Sequence, residues 1–307
     1  MQIYFHNYPP KKPRAVALGT FDGVHVGHKT LFSELLKSEY STLAYTFDRH
    51  PVNVLFGEGT LKTVNTNPEK EKLISELGVD ELLFDDFERI KDLTPEEFVR
   101  DILVHKLSAK EVVCGYNYRF GKDNSGDTKI LGELLSKFGS KLKVVEKVTY
   151  NDIPVSSSFI RNALEKGDMP LARAFLGRPH HYISKVVHGK QLGRKMGFPT
   201  LNETLDPTRV TVPFGVYFAK VTLEDGRSLS SVVNIGIRPT VNFSGEAPTL
   251  EAHVIDFNED IYGKEIKVEL FEKHRDEIKF DSIDSLQEQI KNDVSACLEY
   301  FKRGENK

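Results

Sequence analysis

Residues 19–28 read GTFDGVHVGH, and the reading of this decapeptide decides the architecture of the first half of the chain. The apolar run RAVAL (14–18) precedes it. KTLFSELLKS (29–38) follows, with Leu31, Phe32, Leu35 and Leu36 spaced to bury one helical face. Strand, glycine-bearing loop and helix therefore come in succession, and His28 falls in the first helical turn. A helix N-terminus presents unpaired N–H groups and about half a positive charge, a seat for phosphate. Gly19, Gly23 and Gly27 are expected to supply close backbone approach and unusual dihedrals. His25 and His28 would bring imidazole donors to the same anion, with Asp22 in the same loop. A triphosphate fits this pattern.

Three rival readings fit less well. GVHVGHKT (23–30) nearly spells the P-loop G-x-x-x-x-G-K-[ST], with Lys29 and Thr30 in order. His28, however, stands at the second glycine, where a side chain would fill the phosphate cradle. Two histidines without a cysteine or a third histidine nearby make a poor zinc set. A plain turn would not explain glycine spacing, strand and helix start together.

Around the decapeptide, strand-like text (STLAYTF, ELLFDDF, EVVCGYNYRF, KLKVVEKV) alternates with helical text (NPEKEKLISELG, TKILGELLSKFG). Thr94, Pro95 and Glu97 supply an N-cap, a first-turn proline and a capping-box partner. This β-α-β-α rhythm predicts an α/β, Rossmann-like domain with a parallel sheet, whose ligands sit beyond the strands' C-terminal ends. After Gly177 the texture changes, and Pro179 marks a linker. YISKVVHGK, GVYFAKVTL, LSSVVNIGI, LEAHVIDF and EIKVELFE predict a small antiparallel β-barrel, with EDG (224–226) as a hairpin turn. A C-terminal helix should bury Ile283, Leu286, Ile290, Val294, Cys297, Leu298 and Phe301. The expected domains are 1–178 and 179–307.

The 307 residues suit two domains, and 39% hydrophobic content is ample for two cores. With a net charge of −3 and basic residues spread along the chain, there is no nucleic-acid footprint. No apolar run is long enough for a membrane span and the N-terminus shows no secretory pattern. Cys114 and Cys297 lie far apart, which suits a reducing, cytoplasmic setting. Oligomeric state is not legible.

His25-Val26-Gly27-His28 resembles the H-x-G-H signature of nucleotidyltransferases. VSSSFIR (155–161) resembles their second signature, in which serine or threonine precedes Ile-Arg; Ser157, Ser158 and Arg161 would grip phosphates there. Alone, a serine cluster before a helix is more often an N-cap. Later come GKQLGRKMGFPTLN, VPFGVYFAK, NIGIRPT and LEAHVIDFNEDIYGKEIKVELFEKHRDEIKF. In that order and over nearly its whole length, the chain resembles the prokaryotic bifunctional riboflavin kinase/FAD synthetases. The resemblance implies phosphorylation of riboflavin to FMN by ATP in the second domain. It implies adenylylation of FMN to FAD in the first, with release of pyrophosphate. One live site only, or a flavin sensor without turnover, are the alternatives.

The same resemblance assigns residues. Thr200 and Asn202 would hold Mg²⁺, and neutral oxygens alternating on extended chain suit that ion, although alone they are ordinary strand residues. Glu251 would take the proton from the ribityl 5′-hydroxyl. Gly189, Lys190, Gly193 and Gly197 would form a loop over ATP phosphates, and Arg275 would lie in a segment closing on flavin. Phe47, His50 and Pro51 would form part of a flavin pocket in the first domain, with Asn117 near the phosphates. The family usually has Pro at Arg49, Thr at Ser158, Ala at Leu201, an aromatic at His180 and Gly at Ser184. Arg49 is expected to alter flavin affinity and Leu201 only packing. His105 and His253 read as structural.

Overall fold

Every residue of the strand Arg14–Leu18 is buried, which places RAVAL in the middle of a sheet covered on both faces. The computed structural model describes residues 1–186, 200–237, 248–259 and 261–305, with backbone alone at 184, 200, 202, 203 and 305. Two compact units make up the chain, Met1–Phe159 and Ile160–Lys307.

In the first unit the strands are β1 (Gln2–Phe5), β2 (Arg14–Leu18), β3 (Ser41–Phe47), β4 (Glu81–Asp85), β5 (Ala109–Gly115) and β6 (Lys141–Val145). They form one parallel sheet in the order β1-β4-β3-β2-β5-β6. The order reverses between β2 and β5, so the crevice for a ligand lies between the loops that follow these two strands. Ala15 and Ala17 point to one face with Phe32, Leu35 and Ile74, from α1 (Val26–Leu35) and α3 (Asn67–Glu76). Val16 and Leu18 point to the other, against Ile102, Leu103, Leu131 and Leu135. Small residues on one side let α1 approach the sheet closely at the switch point.

The remaining helices of this unit are α2 (Pro51–Phe56), α4 (Phe87–Ile90), α5 (Pro95–Glu97) and α6 (Thr128–Lys137). The capping box forms as expected: Thr94 Oγ1 accepts from Glu97 N at 3.3 Å, and Glu97 Oε2 from Thr94 N at 2.9 Å. Beyond it, Phe98–Lys106 is π-helical and carries His105, which pairs with Asp101 at 3.5 Å. Edge strand β1 escapes a sequence reading because it is largely exposed; only Tyr4 is half-buried. A ribbon of β7 (Thr149–Tyr150) and β8 (Ile153–Pro154) leads into α7 (Ser157–Glu165), which crosses into the second unit.

In the second unit α8 (Met169–Leu176) ends on Gly177 at φ +65, the left-handed position that favours glycine. Strands β9 (His180–Lys185), β10 (Thr200–Thr204), β11 (Gly215–Thr222), β12 (Ser228–Gly236), β13 (Thr249–Val254) and β14 (Glu265–Arg275) follow. They form an antiparallel sheet in the order β10-β13-β12-β11-β14-β9. The C-terminal helix, Ile283–Glu305, lays Cys297 and Phe301 against Val216, Phe218 and Val232. The expected apolar stripe is too long at its start: Ile283 is 64% exposed, Leu286 and Ile290 are half-buried, and full burial begins at Asp293. Among the described residues no helix is long and apolar enough to cross a membrane.

Arg14, wholly buried, ties the sheet together at its N-terminal edge. Its Nε and Nη2 donate to Glu81 at 2.6 and 3.3 Å, and its other donors reach the carbonyls of Pro10, Lys12 and Leu107. Breaking one side of such a pair strands a buried charge. Glu81→Gln should therefore destabilise the first unit by about 3–5 kcal/mol in urea unfolding, and a loss below about 1 kcal/mol would contradict that role.

Candidate functional site

The loop between β2 and α1 is bent by three left-handed residues, Phe21 (φ +49), Gly23 (φ +84) and Val24 (φ +40). Of the three glycines, Gly23 alone has the unusual dihedral expected of all. Gly19 and Gly27 are needed for space instead: a Cβ would come 2.7 Å from the Phe21 ring at Gly19, and 3.1 Å from His25 Cε1 at Gly27. A β-branched valine at positive φ is strained, and such strain persists only where the surroundings over-determine it. Here they do, since Phe21 and Val24 are core residues packed with Phe32.

His25 is the N-cap of α1. Its Nδ1 accepts from His28 N at 3.3 Å, so in the neutral ring the proton resides on Nε2. The His25 and His28 rings stack with centroids 3.6 Å apart and planes 16° from parallel, and Phe21 meets His28 edge-on at 5.3 Å. The imidazoles stand together at the helix start. Lys29 follows on the helix, and the Thr30 hydroxyl donates to Val26 O at 3.0 Å, bonding within its own helix.

Asp22 is 1% exposed, and its Oδ1 accepts from Val64 N at 2.7 Å. Its carbonyl accepts from Ser157 Oγ at 2.8 Å, which joins the two signature stretches directly. Ser156 caps α7 by accepting from Phe159 N at 3.4 Å. Ser157 and the exposed Ser158 then occupy its first turn, with half-buried Arg161 one turn on. The serine cluster is thus both a cap, through Ser156, and a tie, through Ser157.

The neighbouring loops hold the other candidates of this unit. Phe47, at the end of β3, packs edge-on with Tyr45 and Phe87, at 5.7 and 5.1 Å. Pro51 is the first residue of α2, whose N-cap is again an imidazole: His50 Nδ1 accepts from Val52 N at 3.2 Å. Exposed Arg49 pairs with Glu58 at 3.5 Å and Asp86 at 3.8 Å. Asn117 is exposed just past β5. The loops after β2, β3 and β5 all carry candidates, at the edge of the sheet where ligands gather.

In the second unit, the register puts Glu251 of β13 opposite Asn202 of β10 on one side and Asn234 of β12 on the other. One rung across three strands therefore carries an asparagine, a glutamate and a second asparagine. Thr200 is opposite His253, and Leu201 alternates with both candidates opposite Ala252. Asn234 Nδ2 donates to Glu277 Oε1 at 3.2 Å. Nothing within NIGIRPT marks Asn234 in the sequence, since cross-strand register is not a local signal. Arg275, at the end of β14, makes a two-pronged pair with buried Asp293 at 3.0 and 2.7 Å. Gln289 and His274 hold the same carboxylate. Gly189, Lys190, Gly193 and Gly197 lie outside the described residues. Among the described residues no group of three His, Cys, Asp or Glu side chains could hold a metal ion.

A helix-start imidazole pair at the switch point of a parallel sheet defines an α/β unit of the nucleotide-handling class, followed here by a strand-borne carboxylate site. Comparison with known proteins agrees. The family model for FAD synthetase matches residues 8–159, and that for riboflavin kinase matches residues 176–301. A bifunctional riboflavin kinase/FMN adenylyltransferase from Bacillus subtilis is 36% identical over 295 residues, 93% of this chain and 92% of its own. One from Buchnera aphidicola subsp. Schizaphis graminum is 35% identical over 94% of each chain. A crystal structure from Streptococcus pneumoniae, described as a macrolide-efflux protein, superimposes with a TM-score of 0.86 at 29% identity. It covers 97% of this chain and 99% of its own. The chain belongs to the bifunctional riboflavin kinase/FMN adenylyltransferase family.

The cap and the imidazole can be separated by substitution. His25→Ala should cost about 1 kcal/mol of stability through loss of the N-cap, and His25→Asn should recover most of it. Chemical denaturation of the two variants checks this; equal losses would mean that Nδ1 does not cap α1.

Proposed function

We propose that residues 1–178 transfer an adenylyl group from ATP to FMN, and that residues 179–307 phosphorylate riboflavin to FMN. The observation that carries this reading is the Ser157–Asp22 hydrogen bond, which brings a second helix start and its serines to the histidine loop.

In the first reaction an oxygen of the FMN phosphate attacks the α-phosphorus of ATP. The bond from that phosphorus to the bridging oxygen breaks, and pyrophosphate leaves with the electron pair. Charge grows on the phosphoryl oxygens, where fixed donors act most strongly. His25 Nε2–H, His28 and the first-turn N–H groups of α1 are such donors. Gly19, Gly23 and Gly27 allow the loop its approach, Asp22 holds the loop's shape, and Ser157, Ser158 and Arg161 serve the leaving phosphates. Phe47, Pro51 and Asn117 border the flavin nucleotide. With the acceptor held in line, no covalent intermediate is required.

In the second reaction Glu251 takes the proton of the ribityl 5′-hydroxyl as its oxygen attacks the γ-phosphorus, and ADP leaves. Gly189, Lys190, Gly193 and Gly197 would cover the ATP phosphates. Thr200, Asn202 and Glu251 stand on two paired strands, and oxygen-bearing residues of this kind fit a hard divalent cation such as Mg²⁺. Thr200 and Asn202 would hold it, and it would neutralise charge on the phosphates. Arg275 would reach flavin only after parting from Asp293. The substrates are small molecules. Free thiols at Cys114 and Cys297 suit work in the cytoplasm.

Glu251→Ala should lower FMN formation from riboflavin on the order of 100-fold or more and leave conversion of supplied FMN to FAD intact. His28→Ala should do the reverse. Chromatography of products from riboflavin, ATP and Mg²⁺ reads both, and loss of both reactions in either folded variant would sink the two-site picture.

A further inference from the structure

Lys70 lies in the first turns of α3 and is only 7% exposed. Its ammonium stands 5.7 Å from the centroid of the Phe84 ring. The carboxylates of Asp22 and Asp48 are the charges that act on it. Neither closes an ion pair: among the described residues no hydrogen bond or ion pair reaches the Lys70 ammonium. Both carboxylates are turned to other donors. Asp22 Oδ1 accepts from Val64 N, while Asp48 Oδ1 accepts from Arg49 N at 2.7 Å and Asp48 Oδ2 lies 3.0 Å from His6 Nε2. Asn67 Nδ2 donates to Asp48 O at 2.7 Å and fastens the start of α3 to this loop.

A buried lysine that closes no ion pair with the carboxylates beside it gains little from folding. Asp22 belongs to the loop after β2, Asp48 to the loop after β3, and Phe84 to β4. The ammonium therefore stands at the C-terminal ends of three neighbouring strands. It lies between the histidine loop and the Phe47–Pro51 segment. An anionic oxygen brought to this point would meet a positive charge already held in place by the fold.

We propose that Lys70 is a substrate-binding residue of the adenylyl-transfer site, its ammonium taking a phosphoryl oxygen of a bound nucleotide. This rests on the adenylyl-transfer reading of the first unit. Asp22 and Asp48 orient the ammonium electrostatically without satisfying it. Removing it would take a positive charge away from the neighbourhood of both carboxylates, which act on it. FMN and ATP both carry suitable oxygens.

Burial also lowers the Lys70 ammonium from its usual range to about 8, against the pull of Asp22 and Asp48. The titratable groups facing it are those two carboxylates, with His6 behind Asp48 and buried Glu69 beside it on α3. Activity that needs the ammonium should accordingly fall as pH rises through that value.

The test is steady-state FAD formation by the full chain, wild type against K70M and K70R, between about pH 7 and pH 10. Riboflavin phosphorylation by the same samples is the internal control. K70M should lose kcat/KM for FAD formation on the order of 100-fold, with phosphorylation unchanged. A rise confined to the KM for FMN assigns the oxygen to the flavin nucleotide, and one confined to the KM for ATP assigns it to the triphosphate. Wild-type kcat/KM should decline above about pH 8, whereas K70R, which stays protonated, should hold its activity to about pH 10. Unchanged kinetics in K70M, or the same alkaline decline in K70R as in wild type, overturns the proposal. If K70M does not fold, the K70R profile decides alone. A wild-type chain that forms no FAD would instead overturn the reading on which the proposal rests.

Discussion

One hydrogen bond, from His28 N to His25 Nδ1, organises the first unit's site. It starts α1, and because it occupies Nδ1 it leaves the proton of a neutral His25 on Nε2. It also brings the two rings into a stack whose closeness depends on the absence of a side chain at Gly27. A cap is normally a serine or an aspartate. An imidazole in that place performs the same structural task and offers a second nitrogen for chemistry.

The constraint propagates outward. The turn that delivers His25 to the helix start requires left-handed backbone at Phe21, Gly23 and Val24, and the buried rings of Phe21 and Phe32 hold it there. Asp22 fastens the same turn to Val64 through its side chain and to Ser157 through its carbonyl. The second unit uses a different device. Its strands are paired in a register that sets Glu251 between two asparagines, so a flat sheet rung does what a strained loop does in the first.

Much of this was legible in the sequence because it is local. RAVAL, STLAYTF and ELLFDDF read as strands and are strands, and the Thr94–Glu97 capping box forms with both its bonds. The buried thiol of Cys297 was readable from helical spacing. What could not be read depends on distant partners. The positive φ at Phe21 and Val24 belongs to residues for which a sequence gives no such signal. Strand β1 has too little buried surface to show a period. Ile283 continues the apolar stripe of the C-terminal helix, yet it is exposed. In NPEKEKLISELG, Lys70 looks like one charge on a solvated helix face, and only the fold turns it inward. Asn234 gains meaning only from the register of β12 against β13.

The most direct measurement is the tautomer of His25, read from nitrogen-15 chemical shifts of imidazole-labelled protein at a pH where the ring is neutral. The account predicts a bare, hydrogen-bonded Nδ1 and a protonated Nε2. A proton found on Nδ1 would contradict it, because the ring could then neither cap α1 nor present Nε2–H to a phosphate.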